Sequence, residues 1–173
     1  MMRVLFILAM ALALSASAQA RRNHEAPTGL ATVHFNQAPP DFAFPGGARE
    51  ERLSALVGKP VVINFWTTWC HACLDEMPAF SKLQETYGDR VAFITLSNEM
   101  EGTARSFVAD HHLGVPLLED PRSLIFSAYS IQTYPVTVVV SAAGKVSYVS
   151  VGGLDWPELQ TAVERALAAP AKP

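Results

Sequence analysis

An apolar, β-prone run from Val61 to Trp66 leads into Cys70 and Cys73, and a helix-like pattern follows from His71 to about Tyr87. That junction constrains the chain more than any other feature. The two cysteines are the only ones present, so neither has another disulfide partner in the chain. A thiol pair where a strand hands over to a helix is placed for reaction rather than for stapling. If Cys70 caps the helix, unpaired backbone N–H groups and the positive end of the dipole face its sulfur. A thiolate is stabilised there and a thiol is not. The dipole supplies about 0.3–2 kcal/mol, or roughly one pKa unit, so local N–H donors must add to it. Cys73, one turn further in, receives less of this help. The asymmetry predicts that Cys70 attacks a partner's disulfide and Cys73 resolves the mixed disulfide.

The rest of the chain reads as one domain. Residues 1–20 have the shape of a secretory signal: Arg3, an apolar stretch from Val4 to Leu14, and a small-x-small site at Ala18-Gln19-Ala20. The stretch is shorter than the ~20 residues a spanning helix needs, so cleavage after Ala20 is expected, with an uncleaved anchor as the alternative. No cysteine lies nearby to take a lipid. The expectation is therefore an exported protein, periplasmic or otherwise extracytoplasmic. Residues 21–34 are polar and aperiodic and read as a flexible leader, residues 35–168 as the folded domain, and residues 169–173 as a loose tail. The formal net charge is −3 and there are no basic runs, which gives no electrostatic reason to expect nucleic acid.

Turn-rich residues 38–41 precede a short strand at Phe42–Phe44, and Glu50 to Val57 reads as a short helix ended by Gly58. Val61–Trp66, apolar on both faces, reads as a central strand. The following helix carries Met77, Phe80, Leu83 and Tyr87 at helical spacing, with Pro78 inside, expected to remove a hydrogen bond and kink it, and Gly88 at its stop. A strand at Val91–Leu96, a helix from Glu101 to about His112, an extended piece at 115–118 and a short helix at 123–129 come next. A hairpin of Val136–Val140 and Val146–Val151 leads to a last helix capped by Asp155 and ending near Leu167. The pattern predicts an α/β fold, a central mixed sheet flanked by helices on both faces.

Around the pair, Glu76 lies three residues after Cys73, so a helix puts both on one face. A partly buried carboxyl there has a raised pKa and can shuttle a proton to or from the resolving thiol. Asp75 reads as an exposed first-turn acid that complements the dipole. His71, between the sulfurs, is either a cation that favours the Cys70 thiolate or a solvated spacer, and the sequence leaves both open. Trp66 and Trp69 either shield the site and contact a partner or belong to the core. A structural zinc site needs four ligands, and no second CxxC or HxxxH is present. Copper capture with His111 or His112 is chemically conceivable but a minor reading. Tyr134-Pro135 precedes the Val136 strand, and position alone favours a trans bond.

The run Asn64-Phe65-Trp66-x-x-Trp69-Cys70-x-x-Cys73-x-x-Glu76-Met77-Pro78 resembles the signature of TlpA/ResA-type thioredoxin-like proteins, which are exported thiol–disulfide oxidoreductases. The likeness extends from Ala38-Pro39-Pro40-Asp41-Phe42 through Gly58-Lys59-Pro60-Val61-Val62 to the closing hairpin and helix. It implies a thioredoxin-like fold with a short N-terminal strand or hairpin, and a strand–helix insertion within Gly88–Tyr134. It further implies that Pro135 is a cis-proline facing the cysteine pair, that Trp69 and Tyr134 flank the docking site, and that Glu76 is the active-site acid. Asn64 stands where thioredoxin proper has a buried aspartate. The chain departs from the family at Ala72, where a proline is usual, and at His71, so these two residues are expected to tune the redox poise.

The implied activity is exchange with disulfide-containing or dithiol proteins of the cell envelope, with reduction the favoured direction and apocytochrome c one candidate substrate. Electrons would come from a membrane thiol donor, with no metal and no cofactor beyond the cysteine pair. A copper-binding metallochaperone on the same fold and a disulfide-forming oxidase are the alternatives. A peroxide-reducing enzyme fits less well, because the Thr and Pro before a lone peroxidatic cysteine are missing.

Overall fold

The computed structural model describes residues 28–46 and 49–169. The expected signal segment, residues 21–27 of the expected leader and residues 170–173 lie outside the described residues. In chain order the strands are β1 (Ala43–Gly46), β2 (Arg49–Arg52), β3 (Val61–Phe65), β4 (Ala92–Ser97), β5 (Leu117–Glu119), β6 (Val136–Val140) and β7 (Val146–Val151). The helices are α1 (His71–Tyr87), α2 (Thr103–Asp110), α3 (Leu124–Ala128) and α4 (Trp156–Ala168).

β3 is buried along its whole length, as a β-branched and apolar run covered on both faces must be. It sits at the centre of a five-stranded sheet in the order β5-β4-β3-β6-β7. β3 runs parallel to β4 and antiparallel to β6, β4 is parallel to β5, and β6 and β7 form the terminal hairpin. This is the expected mixed sheet. Alternation along β3 splits its side chains between two cores. Val62 and Trp66 join Met77, Phe80 and Leu83 of α1 and Leu159 and Val163 of α4. Val61, Ile63 and Phe65 join Ile94, Val138, Phe126 and Tyr129 on the other side. Each such aliphatic or aromatic side chain contributes on the order of 1.5–3 kcal/mol on burial.

α1 keeps the expected bounds and runs unbroken through Pro78. Gly88, at φ 50°, turns the chain out of the helix, and its N–H reaches back to the Gln84 carbonyl. The Asp155 carboxylate accepts from the Glu158 N–H at 2.9 Å and starts α4 as its sequence predicts.

Two expectations are corrected. Glu50–Val57 is not one helix: β2 pairs with β1, and only Leu53–Leu56 makes a 3-10 turn. Asp41 decides this, holding Arg52 Nε at 2.7 Å and the Ser54 N–H at 2.9 Å. The expected leader also ends too late. Leu30 and Val33 are buried in the Phe65 core, and the Thr32 hydroxyl donates to the Ala128 carbonyl. The packed region therefore begins before residue 35. Between Gly88 and Tyr134, where the insertion is expected, the chain forms β4, α2, β5 and α3.

The register fixes which loops meet. Phe65, the last residue of β3, stands opposite Leu96 on β4 and Val136 on β6. The segments just beyond, Trp66–Cys70, Ser97–Glu99 and Tyr134–Pro135, thus converge at one end of the sheet.

Candidate active site

Cys70 is the residue that caps α1, with extended backbone, and its sulfur accepts the Cys73 N–H at 3.2 Å. The two cysteines form a disulfide, with Cα atoms 5.2 Å apart. Cys70 keeps 9% of its surface exposed and Cys73 none. An incoming thiolate therefore meets the Cys70 sulfur, and Cys73 lies behind it. His71 and Ala72 are exposed in the first turn, so the imidazole stands in solvent rather than over a sulfur in a closed site. Asp75 is exposed as expected, but α1 starts at His71 and its first turn holds no acid.

Glu76 is half-buried on the face of α1 that carries Cys73. Its carboxyl pKa is pushed up from 4.5 to about 7, chiefly by burial and secondarily by the Asp75 charge, against a hydrogen bond from the Leu154 N–H. Its Oε2 is buried and has no hydrogen-bond partner. Asn64 is 1% exposed and donates from Nδ2 to Thr137 Oγ1 at 3.1 Å, while its Oδ1 is unpartnered. The one acid half-buried on this helix face is thus Glu76, among the described residues of α1.

The Tyr134-Pro135 bond is cis and Pro135 is buried. Tyr134 packs against the core that contains Cys70 and Cys73, and its ring meets Trp69 edge-on at 5.4 Å. Trp69 is 67% exposed, whereas Trp66 is fully buried. The two tryptophans therefore divide between a site wall and the core. The expected site residues Cys70, Cys73, Trp69 and Tyr134 come together. His111 does not join them: it is exposed at the end of α2, stacked on Phe107 with Nδ1 3.0 Å from that residue's carbonyl. Among the described residues no group of three or more His, Cys, Asp or Glu is placed to hold a metal ion.

Sequence reasoning missed Glu99. Its carboxylate accepts the Thr68 N–H at 2.8 Å and the Thr68 hydroxyl at 2.6 Å, and the Ser97 hydroxyl at 3.0 Å. Three donors on one carboxylate tie the Trp66–Cys70 loop to the end of β4, because hydrogen bonds to an ionised acceptor are the stronger kind. Nothing local marks Glu99, which reads as one more loop acid beside Glu101.

Residues 35–149 match the model of the AhpC/TSA family. The chain is 32% identical over 133 residues to the thioredoxin-like protein YneN of Bacillus subtilis, covering 74% of this chain and 78% of that one. It is 29% identical over 140 residues to the thiol-disulfide oxidoreductase ResA of Geobacillus thermodenitrificans, covering 79% and 80%. A crystal structure assigned as the thiol:disulfide interchange protein DsbE of Chlorobium tepidum superposes with a TM-score of 0.70 at 25% identity, over 78% of this chain and 99% of that one.

Proposed function

The chain belongs to the AhpC/TSA family as a thiol–disulfide oxidoreductase of the thioredoxin fold, and on that premise we propose that it reduces disulfides in proteins outside the cytoplasm. The observation that carries the mechanism is the unequal access of the pair: Cys70 at the helix cap with a backbone donor on its sulfur, Cys73 sealed behind it. In the reduced enzyme the Cys70 thiolate attacks one sulfur of a substrate disulfide. The new S–S bond forms as the substrate's breaks, and one substrate thiolate leaves. Cys73 passes its proton to Glu76 and attacks the Cys70 sulfur. The Cys70–Cys73 disulfide closes and the second substrate thiolate leaves, so the substrate gains the two electrons that the pair loses. Glu76, with its pKa near 7, is able to hold or yield that proton at neutral pH.

Export is supported by the signal-like pattern of residues 1–20. The reductive direction is carried over from the family likeness. A membrane thiol donor would regenerate the pair. The substrate class is envelope proteins with accessible disulfides, and apocytochrome c, carried over from the family likeness, is the candidate among them. Trp69, Tyr134 and Pro135 form the docking wall, and His71 and Ala72 set the poise.

A Cys73→Ser variant should accumulate mixed disulfides through Cys70. If only Cys70→Ser traps them, the roles are reversed. The reduction potential of the pair against glutathione should lie near about −270 mV, and a value near about −120 mV overturns the reductive direction.

A further inference from the structure

The Tyr134 ring owes its place to another strand's end. Its hydroxyl donates to Asn98 Oδ1 at 3.0 Å, and Asn98 donates from Nδ2 to Ser123 Oγ at 3.0 Å. The amide is engaged at both ends, so it cannot rotate without losing both partners. The Tyr134 ring meets Trp69 at 5.4 Å and Phe126 at 6.0 Å. Phe126 is buried, whereas Trp69 is exposed. Asn98 itself follows Ser97, the last residue of β4, and precedes Glu99, which holds the loop bearing Trp69. Neighbouring residues at one strand end therefore set the two halves of the aromatic wall.

We infer that Asn98 is a positioning residue for substrate selection: it holds Tyr134, and through it Trp69, as a preformed aromatic wall beside Cys70 that favours extended, disulfide-bearing polypeptides with an apolar side chain next to the cysteine. The inference rests on the exchange activity proposed above. A polypeptide lies against the wall while its sulfur is attacked, so a wall already ordered spares the binding cost of fixing two aromatic rings. A small disulfide presents little beyond its sulfurs and gains little from the wall. Asn98 is hydrogen-bonded to Tyr134 and Ser123 and acts through Tyr134.

The test compares kcat/KM of the full protein for a synthetic peptide closed by a disulfide, with Phe beside one Cys, against bis(2-hydroxyethyl) disulfide as the small, ring-free disulfide. Tyr134→Phe keeps the ring and removes the hydroxyl, and Asn98→Leu removes the amide. Each should lower the peptide-to-small-disulfide ratio by about three- to tenfold, the worth of one hydrogen bond, through KM more than kcat. The double variant should fall no further than the single ones, because both remove the same contact. A ratio within about twofold of the parent, or effects that add, overturns the inference. If Asn98→Leu fails to fold, Tyr134→Phe decides alone. A parent protein inactive on both substrates overturns the exchange reading and this inference with it, whereas an active parent with unchanged ratios overturns the inference alone.

Discussion

The two faces of the central sheet are loaded differently. Behind Phe65 the second core is aromatic and closed: Phe65 meets Phe126 edge-on at 5.1 Å and Tyr129 at 5.0 Å. The single polar atom of that trio, the Tyr129 hydroxyl, is satisfied by the Pro40 carbonyl at 2.8 Å, and burial drives its pKa far up. The α1 face carries the disulfide and also four of the five buried polar side-chain atoms without partners among the described residues, Asn64 Oδ1, Trp66 Nε1, Glu76 Oε2 and Gln84 Oε1, the fifth being Thr67 Oγ1 just past β3. Asn64 and Gln84 line the same small internal void with Val62 and Phe80. Unpaired buried polar groups cost stability and are rare, so their concentration on one face has a cause. One face holds the molecule together. The other carries the disulfide and, one turn from Cys73, the unpartnered Glu76 oxygen, at some cost in stability.

That contrast can be broken most forcefully from the closed face. Phe65→Ala should cost about 3–5 kcal/mol in denaturant unfolding while leaving the reduction potential of the pair in place. If the potential moves as well, the faces are not separable. From the reactive face, Glu76→Gln should slow resolution of the mixed disulfide by about 10²-fold in single-turnover measurements, and the inflection near pH 7 should vanish from the rate profile. An unchanged rate would remove Glu76 from the proton path.

A smaller effect is expected at the junction of the two faces. Glu99→Gln keeps an acceptor for the Thr68 N–H and a donor for its hydroxyl but removes the charge, and should cost about 1 kcal/mol. A neutral result would mean that the Trp66–Cys70 loop is held by packing alone. The smallest effect is the pH dependence of stability. Glu76 has a folded-state pKa of about 7, above its ordinary 4.5. The folded state therefore binds the proton more tightly, and the stability this confers is complete below about 4.5 and lost as pH rises through about 7. Solvent screening at a half-exposed carboxyl keeps the slope shallow. Glu76→Gln should flatten the oxidised protein's stability between those values in chemical unfolding at a series of pH values. A wild-type slope of opposite sign would contradict the raised pKa.

Much of this was legible along the chain wherever the physics is local. α1 starts and stops as its cysteine cap, apolar stripe and Gly88 require. The β6–β7 hairpin keeps its bounds, and Glu76 is found from spacing within one helix. Glu50–Val57 fails because its helical pattern loses to pairing with β1 and to Asp41, contacts a window of sequence does not contain. Asn98 and Glu99 were invisible for the same reason. Their partners Tyr134 and Thr68 lie 36 and 31 residues away.

The sequence by itself determined a strand, a cysteine pair and a helix in a fixed local order, and hence which sulfur is exposed and which is covered. Those are consequences of helix geometry and capping over a few residues. Only the tertiary structure decided what stands around the sulfurs: the burial that lifts Glu76, the carboxylate that ties down Thr68, and the Asn98 amide behind Tyr134. Burial and long-range hydrogen bonds depend on which segments the sheet register brings together, and that register is a property of the whole fold.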